Sequence, residues 1–137
     1  MINYAKPLPG PKAEQKPFWN YCKAHELRMQ KCHRCGNIRY PISFICPKCQ
    51  SVDPAEWVKL SGKGTVYSFT NVNYVYHKAF ASEIPYVIAI IALEEGPRIL
   101  SNIINRKKED LKIGMPVEVE FEDVTEEFTL PKFKPLV

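Results

Sequence analysis

The sequence of 137 residues lacks an apolar leader and any long apolar run. Residues 1–12 contain three prolines and no apolar stretch of the kind that a secretory signal needs. The longest uninterrupted apolar run is Tyr86–Leu93, which is far too short to span a bilayer. We therefore expect a cytoplasmic protein with no membrane partner, in which paired cysteines are more often metal ligands than disulfides.

The common catalytic and phosphate-binding motifs are also missing. The sequence has no glycine-rich phosphate loop, no G-x-S-x-G segment and no H-E-x-x-H segment. Glu118, Glu120 and Glu122 alternate with apolar residues, so we expect them on the solvent face of one strand rather than in an acid–base site. We therefore assign no catalytic residue and expect a binding or scaffolding protein.

Charge is distributed unevenly along the chain, although the composition is that of an ordinary globular domain. Residues 1–64 carry 11 Lys or Arg and 4 Asp or Glu, whereas residues 65–137 carry 8 and 11. A basic N-terminal half suits an anion such as nucleic acid, a phosphorylated cofactor or an acidic partner, and it equally suits a solvated surface. The change of sign near residue 64 also indicates a domain boundary.

The first 26 residues predict an extended arm and a short helix. Four prolines within residues 1–17 exclude a helix or a central strand there. Pro17 suits the first helical position, where its missing N–H is not needed, and Phe18–Glu26 carries apolar residues at helical spacing. So short a helix is marginal alone and must pack on its own domain or on another protein.

Two Cys-x2-Cys pairs separated by ten residues predict a metal site at Cys32, Cys35, Cys46 and Cys49. Gly36 lets the first turn fold back, so that backbone N–H groups can point at the sulfurs. Four thiolates fill a tetrahedral site and leave no position for a catalytic water, so we expect structural zinc, with iron as the alternative. The fifth cysteine, Cys22, is expected to be a small core residue or a surface thiol.

The rest of the chain predicts a mainly β protein with two lobes. Residues 27–56 are expected to form a zinc ribbon, with a strand at Leu27–Lys31 and a hairpin-like stretch at Gly36–Ile45. Residues 57–137 are expected to form a five-stranded OB-fold barrel, because their one helical signal lies between the third and fourth strands. The expected strands are residues 65–76, 86–93, 98–104, 117–124 and 128–130, with a helical turn at 107–111 and an extended tail at 131–137.

Several segments together resemble a prokaryotic family that joins a rubredoxin-like zinc ribbon to an OB fold and was long classed as a domain of unknown function. The common family form has a second proline after the position of Pro41, where this chain has Ile42. The matching segments are PFWNYC at 17–22, CHRCG at 32–36, CPKC at 46–49, W-x6-GTVYSFT at 57–70, PYVIAIIALEEGPRILSNI at 85–103, IGMPVEVEF at 113–121 and LPKFKP at 130–135.

The resemblance implies an acyl-CoA-associated protein of lipid or isoprenoid metabolism. Members of the family resemble non-catalytic partners of thiolases and of hydroxymethylglutaryl-CoA synthases, and they are thought to bridge enzymes or help hold the CoA part of an acyl thioester. Tyr67, Phe69, Tyr74, Tyr76 and Tyr86 are suited to a groove for such a ligand, although about half of them are expected in the core. The candidate residues for acyl-CoA or partner binding are Phe18, Trp19, Lys63, Tyr67, Phe69, Tyr86, Asn102, Lys132 and Phe133.

Two other functions stay open at this point. OB folds and zinc ribbons commonly bind single-stranded nucleic acid, but the acidic balance of the barrel half disfavours that function. A rubredoxin-like electron carrier would need iron in place of zinc, and a ferric site is red whereas a zinc site is colourless.

Overall fold

The computed structural model describes residues 6–10, 13–104 and 111–136, which form a mainly β protein with one short α-helix. The elements are α1 (Lys16–Lys23), β1 (Arg28–Lys31), β2 (Ile38–Arg39), β3 (Glu56–Lys59), β4 (Lys63–Val72), β5 (Tyr86–Leu93), β6 (Arg98–Asn102), β7 (Pro116–Asp123) and β8 (Thr129–Pro135). Short 3-10 turns lie at Ala13–Gln15 and Lys78–Phe80. Within these ranges no helix is long and apolar enough to cross a membrane.

Helix α1 begins at Lys16, with Pro17 in its first turn as expected. Its buried side chains, Phe18 and Cys22, are four residues apart and therefore share one face. The helix ends at Lys23, three residues before the predicted Glu26. The chain leaves the helical conformation at His25, whose backbone is left-handed with a φ of 59°.

A three-stranded sheet of order β2–β1–β3 carries the ribbon. Strand β2 is an edge strand of two residues, since Pro41 follows closely and has no N–H for a ladder. Trp57 was expected to open the barrel, but β3 pairs antiparallel with β1 and places Trp57 opposite Gln30. The predicted boundary at residue 57 thus falls inside a strand of the ribbon sheet.

The other five strands form the expected OB-fold barrel, in the order β6–β5–β4–β7–β8. All neighbouring pairs within that order are antiparallel. A parallel bridge between Ile103 and Phe133 joins the two ends of the sheet, and the Ile104 N–H donates to the Phe133 carbonyl at 2.8 Å. The barrel is therefore nearly closed.

Two strand predictions are wrong by more than two residues at an end. Strand β4 stops at Val72, four residues before the predicted Tyr76. Strand β8 continues to Pro135, although the segment from Pro131 was expected to be an extended tail. The predicted helical turn at 107–111 lies almost entirely outside the described residues.

One continuous core joins the two lobes. Phe18 and Cys22 from α1, and Leu27 and Met29 from the ribbon side, belong to the same buried cluster as the barrel interior. The barrel contributes Val66, Val87, Ala89, Ile91, Leu93, Ile99, Ile103, Val117 and Phe133. The helix and the ribbon sheet are therefore packed directly on the barrel.

Candidate functional site

The four predicted ligands converge on one point. All four Sγ atoms lie within 4.8 Å of one another. Two of the separations are 3.5 Å between Cys32 and Cys49 and 3.6 Å between Cys35 and Cys46. Zn–S bonds of about 2.3 Å in a tetrahedron require sulfur atoms about 3.8 Å apart. The donor set therefore fits a tetrahedral ion, and none of these cysteines forms a disulfide.

The first cysteine pair lies on a tight turn that the backbone closes twice. The N–H of Gly36 donates to the Cys32 carbonyl at 3.0 Å, and the N–H of Cys32 donates to the Asn37 carbonyl at 2.8 Å. Gly36 has a left-handed φ of 76°, which glycine adopts without steric cost. The expected role of Gly36 in folding the turn back is confirmed.

The second pair repeats the same turn without a glycine. The N–H of Gln50 donates to the Cys46 carbonyl at 2.8 Å, and the N–H of Cys46 donates to the Ser51 carbonyl at 3.0 Å. Gln50 takes the position of Gly36 and has a left-handed φ of 63°. The sequence analysis missed Gln50, because only its position after the second pair relates it to Gly36.

Backbone N–H groups of the second turn favour the thiolate form of one ligand, Cys46, which is the form that binds a cation. The N–H groups of Cys49 and Lys48 lower the pKa of Cys46 to about 6, against the opposite effect of burial. At Cys49 the Ser51 N–H acts in the same direction, but burial and the neighbouring sulfurs raise the pKa of that thiol to about 12. Four thiolates this close therefore need a metal ion to coexist, as expected for a structural site.

Three of the candidate ligand-binding residues line one hollow on the barrel: Tyr86, Asn102 and Lys132. The hollow measures about 150 Å³ and is also lined by Lys6 and Phe80. The rings of Phe80 and Tyr86 lie 5.4 Å apart, and Lys132 forms an ion pair with Glu122 at 2.7 Å. The Asn102 amide donates to the Val87 carbonyl at 2.8 Å, so it also fixes β6 on β5.

The remaining barrel candidates do not join this hollow. Lys63 lines a separate depression, and Tyr67 is an exposed ring with the Arg98 guanidinium 4.0 Å from its centroid. Phe69 packs against the core. Phe133 is completely buried, so this side chain presents no surface to a ligand and its candidacy is corrected to a packing role.

The two helix candidates, Phe18 and Trp19, line another cavity between α1 and the ribbon. Phe18 is mostly buried at 7% exposure, whereas Trp19 is half-buried and meets the Phe18 ring edge-on at 5.2 Å. Tyr74 and Tyr76 are exposed on the loop after β4 and lie outside both hollows, with ring centroids 4.9 Å apart.

Comparisons with known proteins agree with this architecture. Residues 57–122 match the family described as the ChsH2 C-terminal OB-fold domain, and residues 19–53 match the ChsH2 rubredoxin-like zinc ribbon domain. A DUF35 domain-containing scaffold protein from Methanocaldococcus jannaschii is 47% identical over 97 residues, covering 71% of this chain and 68% of that protein. The chain belongs to the DUF35 family. The resemblance and the fold class expected from the sequence are confirmed.

Other relatives of this DUF35 chain are named as enzyme subunits. A probable enoyl-CoA hydratase alpha subunit from Thermomonospora curvata is 34% identical over 132 residues, and the match covers 96% of this chain but 40% of that protein. The benzoylsuccinyl-CoA thiolase subunit BbsA of Geobacter metallireducens is 31% identical over 77 residues, which cover 56% of this chain and 49% of BbsA.

A solved structure described as an Ltp2-ChsH2(DUF35) aldolase contains a chain of the same fold. It superposes with a TM-score of 0.85 at 34% identity and covers 95% of this DUF35 chain and all of its own. The similarity thus extends over nearly the whole chain, ribbon and barrel together.

The DUF35 chain also holds two functional candidates that sequence reasoning missed. Lys6 of the proline-rich segment forms an ion pair with Glu83 and lies 5.1 Å from the centroid of the Phe80 ring, which places Lys6 beside the barrel hollow. Arg39 is buried in the ribbon sheet. Neither residue carries a local sequence signal, because its neighbours in space are distant in the chain.

Proposed function

We propose that this chain is a non-catalytic accessory subunit that binds a thiolase-type or hydroxymethylglutaryl-CoA synthase-type enzyme and helps hold the CoA part of an acyl thioester. The observation that carries the proposal is the full-length similarity to a chain of the Ltp2-ChsH2(DUF35) aldolase. The relatives named as a scaffold protein and as a thiolase subunit support the same role.

The chemistry of the described residues supports an accessory role. The metal site has four thiolate donors and no open position for a substrate, so the ion, which we propose is zinc, acts on folding rather than on a reaction. A histidine and a carboxylate do pair at His25 and Asp123, but both side chains are more than half exposed and the Asp123 carboxylate accepts from Thr129. That pair suits a surface contact between the lobes.

The barrel hollow is our candidate for the contact with CoA. Lys6 and Lys132 line it with ammonium groups that Glu83 and Glu122 pair, and the phosphate oxygens of CoA would take the place of those carboxylates. Phe80 and Tyr86 supply apolar surface for a pantetheine arm. This combination of cationic and aromatic side chains is the chemistry that a CoA thioester needs.

Isolation of the untagged protein from its own host tests the partner. We expect a thiolase-fold or hydroxymethylglutaryl-CoA synthase-like enzyme to co-elute, with one zinc per chain and a colourless sample. A chain that elutes without a protein partner but with bound RNA would overturn the proposal in favour of a nucleic-acid-binding module. A red sample with iron in place of zinc would favour an electron carrier.

Calorimetric titration of the purified complex with acetoacetyl-CoA tests the hollow. We expect Lys132→Ala to weaken the binding of acetoacetyl-CoA by about five- to tenfold, because the variant loses a charge-assisted contact. Lys134→Ala is the matched control, because Lys134 lies on the same strand and faces Glu118 and Glu120 at 3.8 and 3.5 Å, outside the hollow. Equal affinity for the two variants would remove the hollow from the CoA site.

A further inference from the structure

A second cavity lies between the arm, helix α1 and the ribbon sheet. It measures about 170 Å³ and is mainly aromatic and apolar. Its apolar lining includes Phe18, Trp19, Tyr40, Pro41, Ile42 and Trp57. An apolar cavity of about 150 Å³ is large enough to bind benzene, so this one has room for a single ring with a short substituent.

One charged side chain, Arg39, lines the cavity, and no carboxylate of the described residues pairs with it. Arg39 is only 6% exposed. Its Nε donates to the Gln30 side-chain oxygen at 3.1 Å and to the Ser43 carbonyl at 3.1 Å, and its Nη2 donates to the same carbonyl at 2.7 Å. Across residues 6–10, 13–104 and 111–136, no carboxylate forms an ion pair with Arg39.

The guanidinium keeps donors to spare. Arginine carries five N–H groups in a rigid fork, and the contacts of Arg39 with described residues use the Nε N–H and one of the two Nη2 N–H groups. One N–H on Nη2 and both on Nη1 are left to face a carboxylate. Glu14 and Asp53 line the neighbouring hollow beside Arg39, but Asp53 pairs with Arg34 at 3.3 Å. A buried cation without a carboxylate is costly, and a bidentate carboxylate is the partner that best matches this fork.

We propose that this cavity binds a small organic carboxylate with one apolar ring, its carboxylate on Arg39 and its ring among the aromatic side chains of α1 and the ribbon. The size of the cavity limits the ligand to one ring. The Arg39 guanidinium, which has no carboxylate partner among the described residues, favours a ligand with an acid group. This site is separate from the barrel hollow, and it does not depend on the identity of a partner enzyme.

The protein contains its own probe for this site. Its only two tryptophans, Trp19 and Trp57, both line the cavity, so ligand entry should change their emission and shift their indole N–H resonances. We would titrate the zinc-loaded full chain with phenylacetate and, separately, with phenylacetamide, which has the same ring and no charge. A charge-assisted bidentate contact predicts that the acid binds at least about tenfold more tightly than the amide.

Arginine variants test whether Arg39 causes the preference for the acid over the amide. We expect Arg39→Gln to remove the preference of the cavity for the acid, Arg39→Lys to retain part of it, and Arg34→Gln, which alters an exposed ribbon arginine, to leave it intact. The acid–amide comparison on the unaltered protein needs no variant, so it tests the proposed carboxylate site even if Arg39→Gln disturbs the ribbon. No saturable response of either indole, or equal affinity for acid and amide, would overturn the proposal.

Discussion

Two left-handed residues close the metal-binding turns, and only one of them is glycine. A non-glycine residue in this conformation costs about 1–2 kcal/mol, whereas glycine adopts it freely but loses more entropy on folding. The two equivalent turns therefore offer a matched comparison in one molecule.

We expect Gln50→Gly to raise the free energy of unfolding by up to about 1 kcal/mol, and Gly36→Ala to lower it by about 1 kcal/mol. A Cβ at Gly36 would meet only the Lys31 Cε atom, at 3.9 Å, so the loss would come from the backbone alone. Urea unfolding of the zinc-loaded protein measures both changes. A loss of stability in both variants would mean that the Gln50 side chain contributes more than its backbone costs.

The fifth cysteine is chemically different from the four ligands. Cys22 is fully buried on α1, and burial raises the pKa of its thiol to about 12. The stability gained from keeping the neutral thiol is present below pH 9 and is lost as the pH rises towards 12.

We expect Cys22 to resist iodoacetamide at pH 8 in the native protein and to react fully in urea, because only the thiolate attacks. Mass spectrometry of peptides locates the label. Once the metal is removed, the exposed Cys35 is the internal control, and it should react first. Rapid labelling of Cys22 in the native state would show that α1 opens readily.

At the scale of the element, strand β4 is held between two neighbours by a glycine. Gly64 pairs with Leu93 of β5 and with Val117 of β7. A Cβ there would lie 2.5 Å from the Ala92 carbonyl oxygen and 3.0 Å from the Ile91 Cγ2 atom. The strands would have to separate to admit even a methyl group.

Gly64→Ala is therefore expected to destabilise the protein by about 1–3 kcal/mol, the usual cost of overpacking. Gly10→Ala, whose Cβ would meet nothing within 4 Å, serves as the control. Thermal unfolding followed by circular dichroism compares the two variants. A melting temperature unchanged by Gly64→Ala would show that β4 and β5 can move apart without cost.

Sequence patterns predicted some elements well because the signal was local. Strand β5 has the predicted bounds, since its apolar run is uninterrupted. The glutamates of β7 were expected on a solvent face, but residues 118–122 are all half-buried, and the glutamates pair with Lys132 and Lys134 of β8. The four metal ligands were also found in full, because the spacing within each Cys-x2-Cys pair determines its turn.

Other features depend on distant partners and could not be predicted in this way. Pro131 and Pro135 indicated a tail, but β8 accepts them because they pair opposite Phe121 and Val117 at the end of the sheet. Phe133 was a ligand candidate until the closed barrel placed it in the core. Arg39 acquires significance only when the helix and arm enclose a cavity beside it.

At the scale of the whole molecule, the two lobes are one packing unit. Helix α1 contributes Phe18 and Cys22 to the core that fills the barrel, and the Leu60 N–H donates to the Leu27 carbonyl at 2.8 Å where β3 leaves the ribbon. His25, after α1, stacks on Phe121 of β7 with ring centroids 5.2 Å apart. The ribbon sheet and the barrel should therefore not unfold independently while the metal is bound.

We expect one unfolding transition for the zinc-loaded protein in urea. Trp19 and Trp57 report on the helix and the ribbon through their fluorescence, and the far-ultraviolet circular dichroism reports mainly on the barrel strands. Coincident midpoints are the signature of a two-state domain.

Phe18→Ala should lower both midpoints together, at a cost of about 3–5 kcal/mol, since it empties a site that both lobes share. Phe44→Ala is the control, because Phe44 is 72% exposed and its loss should shift neither midpoint. Separate midpoints, or a Phe18→Ala effect confined to the fluorescence, would mean that the ribbon and the barrel are held together only by the chain.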